Sequence, residues 1–215
     1  MTDEPRIPSQ LYLLLPKALN QGVVKTLQNI LENTQIACVL VQKSDDGGFD
    51  TELVNMVIGI VQGHNVACLV DDDWELALKL GADGVHLSSG LEAGDATEEE
   101  TIRFAPYDKA RAALGEDAII GGLCYNRHVA LTFGEQGAQY VALPSEHEED
   151  SDLTAHEQIQ WWVELIELPC VAWDIKDINE VDQFIENGAD FLALGELVWN
   201  HDDPVNMIRE ISEKL

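Results

Sequence analysis

Three stretches of the chain share one layout, and that repetition constrains the fold more than any single motif does. Asn65 to Leu87, NVACLVDDDWELALKLGADGVHL, holds an apolar run, three aspartates, a helical segment, Gly81-Ala82-Asp83 and a second apolar run. Asp117 to Leu143 and Leu168 to Leu194 follow the same plan. Their glycines Gly81, Gly137 and Gly188 lie 56 and 51 residues apart. A repeat at such spacing means that one supersecondary unit is used several times. Each glycine stands where a helix ends, the place at which a left-handed residue turns the chain into the next strand.

The remaining chain extends the pattern. Apolar runs at 11–15, 36–41, 66–70, 84–87, 118–122, 139–143, 170–173 and 191–194 are the expected strands. Segments with apolar residues at helical spacing alternate with them. They carry Val23, Leu27, Ile30 and Leu31; Val54, Val57, Ile58 and Val61, closed by Gly63; and Trp74, Ala77 and Leu78. Further helices are expected from about Pro106 to Leu114, up to about Gln136, around Ile159 and Trp162, through Ile178, Val181 and Phe184, and around Val205, Ile208 and Ile211. The strands are too apolar for a sheet with one wet face, so helices must cover it, as in parallel α/β folds. Eight such units over 215 residues predict an α/β chain folded as a single (β/α)8 TIM barrel, one domain over 1–215. An open doubly wound sheet is the alternative.

Twelve basic residues against 40 acidic ones give a net charge of −28. A surface so anionic repels nucleic acid and anionic membrane. No apolar run approaches the roughly 20 residues that span a bilayer, and MTDEPRIPSQ lacks the basic and apolar regions of a signal peptide. A cytoplasmic protein is expected. Cys38, Cys68, Cys124 and Cys170 each fall in or beside an apolar run and are read as reduced core residues.

A barrel of this kind builds its site at the C-terminal ends of the strands. Gln42 and Lys43 follow strand two there, and Asp71, Asp72 and Asp73 follow strand three. Tyr125 and His128 follow strand five, Glu146, His147 and Glu148 strand six, Asp174 and Lys176 strand seven, and Glu196 strand eight. Asp71 and Asp72 are the candidate ligands for a hard cation such as Mg²⁺, while Asp73 is placed to cap the following helix. Lys43, Arg127 and Lys176, the only basic residues in these loop starts, are expected to be solvated. Tyr125 and His128 are the candidates for acid–base chemistry, with His128 favoured as an exposed helix residue. The partner expected at this rim is a small molecule or a cation.

The chain resembles the thiamine phosphate synthase / TenI family of compact barrels, from about Leu11 to the C-terminus. The likeness is clearest in LVDDDWELALKLGADGVHL, in ALGEDAIIGGLCYNRHVAL with QGAQYVAL, and in WWVELIELPCVAWDIKDINEVDQFIENGADFLALGELVW. The resemblance implies a Mg²⁺-assisted joining of a pyrimidine methyl diphosphate to a thiazole phosphate, with pyrophosphate leaving. It places a metal-binding carboxylate at Asp72, with Asp71 in place of an asparagine. Gln42 falls on an arginine position and Ser44 on a lysine position, with Lys43 one residue away. The second metal-binding aspartate would fall in the acidic insertion, where Glu92 and Asp95 are available. Leu123 replaces a diphosphate-binding serine, and Tyr125 replaces the TenI histidine, one turn before His128. PSEHEED replaces a Thr-rich, Lys-ended loop. Asp174-Ile175 replaces a Gly-Gly phosphate contact, and Gly195-Glu196 a Ser-Gly-like pair. Homodimers are also implied.

Three functions follow from these replacements. The favoured one is a family member without synthase activity, acting as a binding or regulatory protein. The alternatives are an active Mg²⁺-dependent synthase and an enzyme of new specificity for a cationic or neutral substrate.

Overall fold

The computed structural model describes residues 8–89, 91, 104–146 and 153–215. Eight parallel strands close into a barrel in chain order. They are β1 (Gln10–Leu14), β2 (Cys38–Val41), β3 (Ala67–Asp71), β4 (Gly84–Leu87), β5 (Ile119–Leu123), β6 (Tyr140–Pro144), β7 (Cys170–Trp173) and β8 (Phe191–Leu194). Pairing of Leu13 with Leu194 and of Gln10 with Phe191 joins the last strand to the first. Closure removes both sheet edges, so the open doubly wound alternative does not apply.

The helices α1 (Gln21–Asn33), α2 (Thr51–Gly63), α3 (Trp74–Leu80), α4 (Ala105–Leu114), α5 (Arg127–Glu135), α6 (Ala155–Leu165) and α7 (Val181–Asn187) follow successive strands. A four-residue helix α8 (Glu196–Trp199), not expected from the sequence, precedes the closing helix α9 (Pro204–Ser212). It is pinned across the seam, where Trp199 Nε1 donates to the Leu14 carbonyl at 2.7 Å. Gly81, Gly137 and Gly188 adopt φ of 71°, 98° and 86°, the left-handed turns that their spacing predicts. Gly63 ends α2, as expected, and Asn65 two residues on takes the left-handed conformation at φ 58°. Asparagine is among the few side chains that tolerate it.

Alternation along each strand divides the apolar residues into two cores. Leu11, Leu13, Val39, Val41, Cys68, Val70, Val85 and Leu192 pack outward against the helices. Tyr12, Leu14, Leu40, Leu69, Ala142 and Ala193 fill the lumen. All four cysteines are buried and outside any disulfide, and burial pushes the Cys38 and Cys124 thiols up to about 12. They are inert packing residues. Among the described residues no helix is long and apolar enough to cross a membrane.

The lumen sets a tight requirement at Gly121. A Cβ there would lie 2.2 Å from the Tyr140 ring, so the missing side chain is what admits that ring. Gly121→Ala is expected to lower stability in urea by about 1–3 kcal/mol through overpacking. Gly59, on the exposed side of α2 with nothing within 4 Å, is the contrast. Gly59→Ala is expected to raise stability by about 0.5–1 kcal/mol.

Candidate functional site

The C-terminal ends of the strands carry two charged groups on opposite sides of the barrel mouth. On the β3–β4 side, parity turns Asp71 inward, where it is buried. Ser88 Oγ donates to its Oδ1 at 2.5 Å. Asp72 stands at φ 51°, and that left-handed turn swings its carboxylate back over the end of β4. Its Oδ1 accepts from the Ser88 and Ser89 N–H groups at 2.9 and 3.2 Å, and its Oδ2 from Ser89 Oγ at 2.8 Å. Lys43 Nζ lies 4.0 Å from the same Oδ2. Asp73 caps α3, accepting from the Leu76 N–H at 2.9 Å, as expected.

On the β7–β8 side Asp174 is also left-handed, at φ 56°. Its carbonyl accepts from Ser145 Oγ at 3.0 Å. Its Oδ1 leans on Gly195, where a Cβ would come within 2.9 Å of it. Lys176 Nζ sits 2.6 Å from Asp174 Oδ2 and 3.2 Å from Glu196 Oε2. Partial burial pulls the Lys176 ammonium down, but hydrogen bonds and charge from Asp174 and Glu196 outweigh it and leave its pKa raised. Lys43 and Lys176 are therefore ion-paired at the rim, and Arg127 stacks over the Trp161 ring at 5.2 Å. Arg127 and Lys176 are exposed, as expected for solvated side chains, and Lys43 is half-buried. Asp174 lies two residues before Lys176, whereas Glu196 and, for Lys43, Asp72 lie on other loops.

The other candidates lie apart from these groups. Gln42 lines a cavity of about 350 Å³ between the first two loops, with Lys17, Ser44, Asp46 and Asp50. Tyr125 is 45% exposed, just before Asn126, which caps α5 by accepting from the Val129 N–H. His128 is exposed in the first turn of α5, as expected. Glu92, Asp95, His147 and Glu148 lie outside the described residues; Glu146 is exposed.

Beneath the mouth lies a group that the sequence reading missed. His86 is fully buried in the lumen and stacks on Trp173 at 4.0 Å with rings 4° from parallel. Its Nδ1 is 2.7 Å from Tyr140 Oη, which is 3.1 Å from Tyr12 Oη. Burial pushes the imidazole down to about 3, so it is neutral at physiological pH. The inward parity of His86 in Gly84–Leu87 was the available signal.

Among the described residues no three His, Cys, Asp or Glu side chains converge as ligands. Both oxygens of Asp72 already accept hydrogen bonds, and its neighbouring charge is Lys43.

A family profile described as thiamine monophosphate synthase matches residues 11–198. The chain belongs to the thiamine monophosphate synthase family. The thiamine-phosphate synthase of Rhodospirillum centenum is 35% identical over 200 residues, covering 89% of this chain and 90% of that protein. That of Erythrobacter litoralis is 34% identical over 210 residues, covering 93% and 92%. The thiamine phosphate pyrophosphorylase structure from Pyrococcus furiosus superposes with a TM-score of 0.75 over 95% of this chain and 96% of its own. At 22% identity that likeness speaks for the fold. Within this thiamine monophosphate synthase family, the rim described above is the relevant end of the barrel, because strand C-termini carry barrel active sites.

Asp71 supplies a pH test of this rim. Burial raises its carboxyl above the ordinary 3.8, against the lowering effect of the Ser88 hydrogen bond, and the Asp72 charge raises it further. The folded chain thus holds the proton to higher pH than the unfolded chain. Stability should fall as pH rises from the ordinary value through the raised one, then level off. Asp71→Asn cannot ionise, so urea unfolding should show a stability difference that moves in its favour across that window. A difference that is flat, or that moves toward wild type as pH rises, contradicts the assignment.

Proposed function

We propose that this family member lacks thiamine phosphate synthase turnover and acts as a binding or regulatory protein for a small cationic or neutral molecule at the strand C-terminal ends. The observation that carries this reading is the Asp174–Lys176–Glu196 cluster at the β7–β8 mouth. The family resemblance puts phosphate contacts there. A phosphate beside an uncompensated carboxylate at 4 Å meets repulsion of about 4 kcal/mol at an effective dielectric near 20, about a thousandfold in affinity. The penalty is smaller at Glu196, whose side chain is 72% exposed. Lys176 offsets part of it but is already shared between two carboxylates.

Residues elsewhere on the rim support the same reading. Gln42 and Leu123 occupy positions where the resemblance expects an arginine and a serine. Asp72 is tied to the loop after β4 by its bonds from Ser88 and Ser89. The net charge of −28 sets the partner apart from nucleic acid and anionic membrane.

An active synthase is the second reading, favoured by the 35% identity to a thiamine-phosphate synthase over nine-tenths of its length. One assay separates the two. With both thiamine precursors and Mg²⁺, pyrophosphate release is expected to stay at the enzyme-free rate. Turnover on the order of 1 s⁻¹ or faster establishes the second reading. The double variant Asp174→Gly/Glu196→Ser removes the two carboxylates and the strained φ 56° side chain together. Its affinity for inorganic phosphate, measured by calorimetry, is expected to exceed that of wild type at least about tenfold.

A further inference from the structure

The lumen is filled unevenly from end to end. At the N-terminal end the inward residues Ala67, Ile119 and Phe191 are only half-buried. One inward step further along the same strands, Leu69, Gly121 and Ala193 are buried. Solvent therefore reaches the barrel axis from the end opposite the mouth. A cavity of about 190 Å³ lies there, walled by Ala67, Ile119, Val171 and Phe191 and closed on its inner side by Tyr12 and Tyr140.

The cause is local composition. Barrel interiors are normally packed by bulky branched side chains, whereas Ala37, Cys38 and Ala67 leave this layer short of volume. The lining is also chemically uniform. The two phenol hydroxyls bond to each other, and Tyr140 continues to His86. What the pair turns toward the cavity is ring carbon. Moving an apolar molecule from water against such a lining is favourable. A phosphate or an ammonium entering this one would lose its hydration without gaining a partner.

We propose that this cavity is a second binding site, distinct from the mouth, for a small uncharged apolar molecule of about benzene to indole size. Gln10, an exposed and uncharged polar residue, also lines the cavity. The site is independent of whether the mouth retains synthase chemistry, since its lining lies at the other end of every strand.

Methyl-labelled wild-type protein titrated with benzene and with indole tests the proposal by NMR. Saturable shifts are expected at the methyls of Ala67, Ile119 and Val171, with Leu14 and Leu123 near the mouth unmoved. Ala67→Leu fills the cavity and is expected to weaken binding at least about tenfold. If that variant does not fold, Ile119→Phe fills it from another wall, and the wild-type methyl map stands as a test by itself. Absence of saturable shifts at those three methyls overturns the proposal. So do shifts centred on Leu14 and Leu123, or binding unchanged in a folded filled variant.

Discussion

Closure of β8 onto β1 is the constraint on which the rest of the molecule depends. Once the sheet is a ring, every strand has one face toward the lumen and one toward the helices, and both must be filled. That requirement explains the apolar strands. It also fixes which side chain of each strand end meets the mouth. Asp71 turns inward and Val70 outward for the same reason that Leu69 lies in the lumen. The Trp199 bond to the Leu14 carbonyl reinforces the seam where that ring is joined.

The ring also explains how the lumen supports its upper end. His86, Tyr140 and Trp173 come from β4, β6 and β7 and meet only because the strands are in register around the axis. A neutral imidazole stacked on an indole packs the lumen beneath the mouth with uncharged rings. The charges are confined to the rim above it. There, three consecutive aspartates do three different things: Asp71 is buried against Ser88, Asp72 holds the β4 loop, and Asp73 caps α3.

Much of this architecture was legible in the sequence because it is local or periodic. Strand runs, helical spacing and the turns at Gly81, Gly137 and Gly188 need only neighbouring residues, and Asp73 could be assigned as a cap on the same ground. What could not be read is non-local. The second partner of Lys176, Glu196, is 20 positions away in the chain. His86 escaped notice because a single histidine in GVHL gains meaning only from β6 and β7. The left-handed turn at Asn65 was not singled out, because no glycine marks it. The helix α8 depends on the seam itself. The site was thus visible as a set of positions, while their pairing into two opposed clusters required the fold.

The central claim is that this barrel mouth has exchanged affinity for phosphate for an ion-paired, largely acidic rim while keeping the family fold. Calorimetric titration of the intact chain with inorganic pyrophosphate in the presence of Mg²⁺ addresses it most directly, because it needs no turnover and no assumed substrate. The account predicts no saturable binding below about millimolar pyrophosphate. Saturable binding at about micromolar concentration, weakened by Lys176→Ala, contradicts it.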